Sequence, residues 1–321
     1  SLLQIDLPVS VKTIGQYAFA DCSSLMEIHI PRDVQLIDQY TFNACSSLRR
    51  ITLPNGITEI GKYAFDGCSS LKSIDLPKAL TTIGEYAFDE CSSLEQITIP
   101  NKINKIAFAT FGECSSLTQV SLPQSVNIIG DYAFYGCTSL ASIDLPSHLE
   151  KIGHCAFDSC IRMSSIRIPS SIKTLGYHAF HHTPLYNDSS NWADGALYID
   201  HCLIAVDTSL TGHYAIRPKT RLVADGAFIF CRSLSSVRIP KSVTVISDGM
   251  FCVCSSLREV KWHDGITHIG ANAFEKCRRL TSLVLPSSVG RIGDAAFLGC
   301  GNLSYLFLPK SIYYLGEQVF D

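Results

Sequence analysis

The chain has 321 residues and a formal net charge of −3, with 46% hydrophobic and 17% charged residues. That balance fits a well-buried globular chain and excludes both a disordered chain and a globally basic nucleic-acid binder. No run of about 18 apolar residues occurs, so no helix that inserts into a membrane is expected. The net figure hides an asymmetry. Residues 1–210 sum to −8, residues 211–291 to +7 and residues 292–321 to −2. A basic surface, if there is one, therefore belongs to the second half.

From the first residues onward one pattern recurs. The nonapeptides YAFADCSSL (Tyr17–Leu25), YAFDGCSSL (Tyr63–Leu71) and YAFDECSSL (Tyr86–Leu94) are near copies. Their Phe falls at 19, 42, 65, 88, 111, 134, 157 and 180, then at 228, 251, 274, 297 and 320, a period of 23 within each run. Eleven residues earlier stands Pro in most units, from Pro8 to Pro309. Five earlier stands Ile, Leu or Val, and six later stands Leu in most units, or Met163 once. A unit this short cannot bury its own core, so neighbouring units must stack in register as a solenoid.

Within a unit, L-x-x-I-x-I-P alternates and is stopped by Pro, which predicts a short strand such as Ser73–Leu76. The following V-x-x-I-G predicts a second extended piece. Y-A-F-x-x-C carries apolar residues three apart, which predicts a helical turn. Strands of successive units are then parallel and about 4.8 Å apart, so some thirteen units would make a rod on the order of 60 Å long.

Units such as IDLPKALTTIGEYAFDECSSL (Ile74–Leu94) resemble the BspA-like leucine-rich repeats of bacterial and protist surface proteins. The resemblance implies an α/β repeat solenoid. Its parts are a leucine-rich-repeat rod with parallel short strands, helical turns on the opposite side and, here, one inserted β-hairpin. It also implies a cell-surface or secreted location and a role in adhesion to host proteins or other cells.

Cys recurs three residues after the Phe, at Cys22, Cys45, Cys68, Cys91, Cys114, Cys137, Cys160, Cys231, Cys254, Cys277 and Cys300. Equivalent residues in adjacent units lie about 4.8 Å apart with parallel side chains, whereas a disulfide needs Cβ atoms about 3.8 Å apart on converging vectors. The expected state is a structural ladder of small, buried, free thiols. Zinc wants four convergent ligands, which a linear ladder does not offer. The Ser pair that follows the Cys in most units is expected to satisfy backbone groups at the turn into the next strand.

The register breaks between Phe180 and Phe228 and is recovered at Ile216. This divides the chain into repeats over 1–180, an insert over 181–215 and repeats over 216–321. Thr183–Asn191 (TPLYNDSSN) is turn-rich. Ala196–Asp200 (ALYID) and Cys202–Val206 (CLIAV) read as a hairpin about Asp200-His201 that replaces one repeat. Such inserts are familiar in the resembled family. The tip gives Tyr198 and His201 as candidate binding residues, beside a purely structural role.

His178, His181, His182, His201, Cys202 and His213 crowd this region, but their spacing matches no known ligand motif, so neither metal nor cofactor is expected. Cys155 and His178 share a column in adjacent units. They lack any visible orienting group or oxyanion hole, so packing is the better reading and no catalytic residue is assigned. No G-x-S-x-G, P-loop, G-x-G-x-x-G or H-E-x-x-H motif occurs.

The strand ribbon is the other candidate surface. Positions eight and ten after the Phe should face solvent. They are small and polar in the first units, then basic (Arg167, Arg238, Lys261), then apolar (Val284, Tyr305, Phe307). Trp262-His263 replaces the usual Leu-Pro. Arg167, Arg238, Lys261, Trp262, Val284, Tyr305 and Phe307 are thus candidate binding residues, unless another repeat or domain covers them. The Tyr at Tyr17, Tyr40, Tyr63, Tyr86 and Tyr132 are expected to stack rather than bind.

The expected function is a non-catalytic module binding a protein or other macromolecule through ribbon and insert. The alternative is a structural spacer in a longer array, a reading that fits a chain beginning in mid-unit without a polar cap. An enzyme is a remote third. Free cysteines also suit a reducing cytosol, so a cytoplasmic location stands as the alternative.

Overall fold

In the computed structural model, which describes residues 2–320, the 23-residue period becomes hydrogen-bonded register. The strand Glu27–His29 pairs in parallel with Arg50–Thr52, residue 27 opposite residue 50. Gln96–Thr98 pairs with Gln119–Ser121 in the same way. The second extended piece forms its own parallel ladder. Leu36–Ile37, Glu59–Ile60 and Thr82–Ile83 pair in order, and Lys105–Ile106, Ile128–Ile129, Lys151–Ile152 and Thr174–Leu175 follow suit. Each unit is therefore one coil of a solenoid. The first ladder lapses at the expected strand Ser73–Leu76, which is not hydrogen-bonded as strand but keeps the pattern of buried Ile74 between exposed Ser73 and Asp75.

Two compact units result, one reaching Asp188 and the other starting at Ser189. In the first, the Phe column is the core. Phe42, Phe65, Phe88, Phe111, Phe134, Phe157 and Phe180 are fully buried. Neighbouring rings lie nearly parallel, for instance at 5.2 Å between Phe65 and Phe88. The second unit repeats the arrangement with Phe228, Phe251, Phe274 and Phe297. Its parallel strands Leu234–Arg238 and Glu259–Lys261 keep the same register, and Ser282–Val284 with Tyr305–Phe307 does likewise.

The expected helical turns are not there. The Y-A-F-x-x-C face is a string of tight turns, and two residues per coil have positive φ. One is the Tyr column (Tyr40 at 57°, Tyr63 at 57°, Tyr86 at 57°) and the other the residue before Cys (Ala44 at 56°, Gly67 at 70°, Glu90 at 56°). A left-handed residue costs a non-glycine side chain about 1–2 kcal/mol and breaks a right-handed helix. The amides show what replaces it. Alternate N–H groups bond three residues back, as Ala20 to Tyr17 and Cys22 to Phe19. The others donate to the next coil, as Tyr17 to Gln39, Phe19 to Thr41 and Asp21 to Asn43. The turn face is thus a third intercoil ladder beside the two strand ladders.

The only α-helix among the described residues is Pro184–Asn187. Thr183 caps it by accepting from the Tyr186 N–H at 3.2 Å, with Pro at the first turn where no amide is needed. In the second unit, Ala196–Ile199 and Cys202–Val206 form the expected antiparallel hairpin. Its two-residue turn, Asp200 at φ 43° and His201 at φ 64°, has the left-handed pair of a type I′ turn. The second strand then pairs in parallel with Leu222–Val223, so the hairpin joins the solenoid sheet rather than standing apart from it.

Candidate binding surfaces

The cysteine column shows why a thiol suits this scaffold. All fourteen cysteines are free, and most are buried. Cys45, Cys68, Cys91, Cys114, Cys137 and Cys160 each donate S–H to the Phe carbonyl 26 residues earlier, at 3.0–3.2 Å. Cys254, Cys277 and Cys300 repeat the bond in the second unit. Cys22 is only half-buried, and Cys231 reaches Asp207 O at 3.7 Å. Burial pushes the Cys45 thiol up to about 12, so these sulfurs are inert as nucleophiles. Cys155 has Tyr132 as its side-chain partner, and burial raises its thiol too, which leaves it without the activation a nucleophile needs.

The ribbon candidates divide between the units. Arg167 is exposed in the first. In the second, Arg238 and Lys261 are register neighbours on adjacent strands, and Lys261 reaches Glu259 at 3.4 Å. Val284 lies beside Phe307, and Ser282 beside Tyr305. Val284, Tyr305 and Phe307 are 60%, 57% and 50% exposed, which makes a contiguous apolar strip on an otherwise polar strand face.

Trp262 does not belong to that strip as a free ring. It is half-buried, packs edge-on against Phe274 at 6.1 Å, and its indole N–H donates to Val284 O at 3.1 Å. His263 stands where other coils have Pro. Its Nδ1 accepts from the Gly265 amide, so Nε2 carries the proton, and that nitrogen lies 3.0 Å from both Pro240 O and Val243 O. Together with Lys241, Val284, Pro286 and Phe307 these residues line an open groove of about 790 Å³.

At the insert, His201 is exposed at the hairpin tip. Tyr198 is partly buried and engaged. Its hydroxyl lies 3.3 Å from that of Tyr214 and accepts from the Arg217 amide, while the Arg217 guanidinium covers its ring at 4.3 Å. Of the two insert candidates, His201 alone offers a free surface.

Two further constellations lie on the turn face of the first unit. In the first, the Tyr ladder is interrupted by Ala109 and the next column by Gly112. Tyr86, Phe108, Tyr132 and Tyr135 then surround a hollow of about 400 Å³ that Asp89 and Glu113 also line. Phe108 stands tilted between Tyr86 and Tyr132 at 5.1 and 5.4 Å. A Cβ on Gly112 would collide with the Asp89 carboxylate. Burial, then Asp66, Glu90 and Glu113, push Asp89 up to about 7, and burial and Glu90 push Asp66 up to about 6.

In the second, Asp158, His181 and His182 converge, with candidate ligand atoms all within 4.8 Å of one another. Asp158 and His181 share a column 23 residues apart, so the stacking of coils brings together residues that no linear ligand motif would join. His182 Nδ1 lies 2.9 Å from Asp158 Oδ1, and His181 Nδ1 lies 3.9 Å from Oδ2. His178 stacks on His181 at 4.0 Å. Burial, then the nearby His181, holds the His178 imidazole down at about 4, and burial lowers His181 as well, so both are neutral near pH 7. His201 and His213 are not part of this cluster.

Parallel coils of 23 residues with a buried Leu and Phe column define a leucine-rich-repeat solenoid. The chain belongs to the BspA-type leucine-rich-repeat family: the profile of the BspA type leucine rich repeat region matches residues 1–117, 81–190 and 220–321, in six copies. A crystal structure of a leucine-rich repeat protein from Bacteroides ovatus is similar, with a TM-score of 0.56 and 32% identity over 99% of this chain and 84% of that one. A leucine rich cell surface protein from Faecalibacterium prausnitzii is similar with a TM-score of 0.51 and 26% identity, covering 99% of this chain and 89% of that one. No curated protein matches. Among the described residues, no helix is long and apolar enough to cross a membrane.

Proposed function

We propose that this chain is a non-catalytic module that binds a protein partner at a cell surface, through its strand faces and the tip of the insert. Repeat solenoids of this class generally serve as protein-interaction or surface modules, and the F. prausnitzii relative is described as a cell surface protein. The observation that carries the reading is the exposed strip Val284–Tyr305–Phe307 beside the Trp262 groove. Three large apolar side chains on a strand face cost solubility, and in binding proteins such patches supply the central anchors. Arg238 and Lys261 on the neighbouring strands add a basic flank.

The test is binding of the labelled chain to intact epithelial cells and to a panel of extracellular-matrix proteins. The comparison is the double variant Tyr305→Ser/Phe307→Ser. Both side chains are exposed, so the fold should persist. The expected result is saturable binding by the parent, lost in the double variant and kept in Gln96→Ala/Thr98→Ala. Equal binding by all three chains, or none by the parent, would leave the spacer role as the better account.

A further inference from the structure

We propose that Asp158, His181 and His182 form a binding site for a divalent transition-metal ion of the zinc class. It ties the last two coils of the first unit together. Asp158 comes from one coil, and both imidazoles come from the next. The carboxylate is nearly buried, with 10% of its side chain exposed. Among the described residues no lysine or arginine is paired with it; its ion-pair partners are His181 and His182.

The geometry fits an ion in place of a proton. Two donors held about 2.0–2.2 Å from one metal stand roughly 3–3.5 Å apart in tetrahedral or octahedral arrangement. The observed 2.9 and 3.9 Å bracket that range, and small ring rotations would equalise them. Both imidazoles present Nδ1 to the carboxylate. One ion set between them would take a donor atom from each of the three residues, whose ligand atoms all lie within 4.8 Å of one another.

The surroundings prepare the ligands. The Ser159 hydroxyl donates to Asp158 Oδ1 at 3.1 Å, which fixes the carboxylate. The His181 ring is held by the stacked His178 on one side and by Tyr186 edge-on at 5.0 Å. Such supporting contacts orient metal ligands in built sites. Two imidazoles and one carboxylate favour zinc, nickel, cobalt or copper over magnesium and calcium, which prefer all-oxygen sets. His182 is 57% exposed, so the remaining coordination positions open to solvent.

The test is isothermal titration of the folded chain with Zn²⁺ and, separately, Ni²⁺, in buffer with a non-chelating reductant. Co²⁺ absorption is recorded alongside. The expected result is one equivalent bound, a four- or five-coordinate cobalt spectrum without a sulfur-to-cobalt charge-transfer band, and no competition by Mg²⁺. His182→Ala, at an exposed position that should not disturb folding, is expected to weaken binding at least about tenfold, since even loss of a supporting contact costs that much. Asp158→Asn should do the same. Cys155→Ser and His201→Ala should bind as the parent does. The proposal fails if the parent binds neither ion at millimolar concentration. It also fails if His182→Ala binds as tightly as the parent, or if a thiolate band shows that cysteine is the ligand.

Discussion

Asp89→Asn should stabilise the chain at alkaline pH and do little at acid pH. In the folded chain burial and the charges of Asp66, Glu90 and Glu113 raise this carboxyl from 3.8 to about 7. As pH rises through about 4, the unfolded chain gives up its proton first while the native chain keeps it. Stability therefore falls between about pH 4 and pH 7, and the full penalty stands above that window. A rise from 3.8 to about 7 corresponds to at most about 4 kcal/mol. Asp89 is only partly buried and its neighbours face water, so screening reduces this to roughly 1–2 kcal/mol. Asn keeps the shape and removes the charge, and it also relieves Asp66. The assay is urea unfolding of parent and variant at about pH 3 and about pH 8, compared by midpoint because repeat arrays need not unfold in two states. The variant's advantage should be near zero at the lower pH and about 1–2 kcal/mol at the higher. An advantage that is the same at both values would show that Asp89 ionises normally and that the turn face is better hydrated than its geometry implies.

Other outcomes follow from single residues. A native thiol titration should show fast reaction only at half-buried Cys22, Cys155 and Cys252, and denaturation without reductant should release all fourteen; a shortfall would mean disulfides. Phe111→Ala, between Phe88 at 5.5 Å and Phe134 at 5.6 Å, should cost about 3–5 kcal/mol in urea unfolding; a loss under about 1 kcal/mol would mean that the column collapses to fill the gap. Gly67→Ala, at φ 70°, should cost about 1 kcal/mol, whereas Gly56→Ala, whose Cβ would meet only ordinary contacts, should be neutral or slightly stabilising. Cys91→Ser should destabilise more than Cys91→Ala, because Phe65 O already accepts the Cys68 amide and a buried hydroxyl brings lone pairs that nothing there satisfies.

The period of 23, the stacking and the free cysteine column were legible in the sequence because each repeats many times, and repetition at fixed spacing has few structural solutions. The hairpin was legible from two apolar runs about Asp200-His201. The turn face is not legible as such, because Tyr, Phe and Cys recur at spacings that a helix and a string of tight turns share. A corrective signal was present: the Tyr column becomes Gly226, Gly249 and Asn272 in the second unit, all at positive φ, and the residue before Cys is Gly67, Gly136 or Gly299 in three coils. Residues that tolerate left-handed backbone, recurring in two columns, exclude a helix there. Trp262 and Tyr198 break the repeat and so look like surface residues in the sequence, yet each is fixed by a hydrogen bond to backbone. Asp158 is not legible along the chain as a partner of His181 and His182, because the three meet only where adjacent coils stack.

These observations locate where the scaffold can vary without cost to its core. Phe, Leu and Cys columns are buried and must repeat, since changing one disturbs both neighbours. The strand positions around each buried Ile, and most turn positions just after a Phe, touch solvent and leave the ladders intact. Variation there is nearly free, and chemistry has collected there: the apolar strip at Val284, Tyr305 and Phe307 on strands, and the Asp89 hollow and the Asp158–His181–His182 cluster on turns. On the turn face a single coil offers one side chain per column. A constellation then draws its residues from two adjacent coils, as Asp158 with His181 and Asp89 with Gly112. On this face neighbouring side chains are therefore about 23 residues apart in the sequence, and no motif read along one coil contains them.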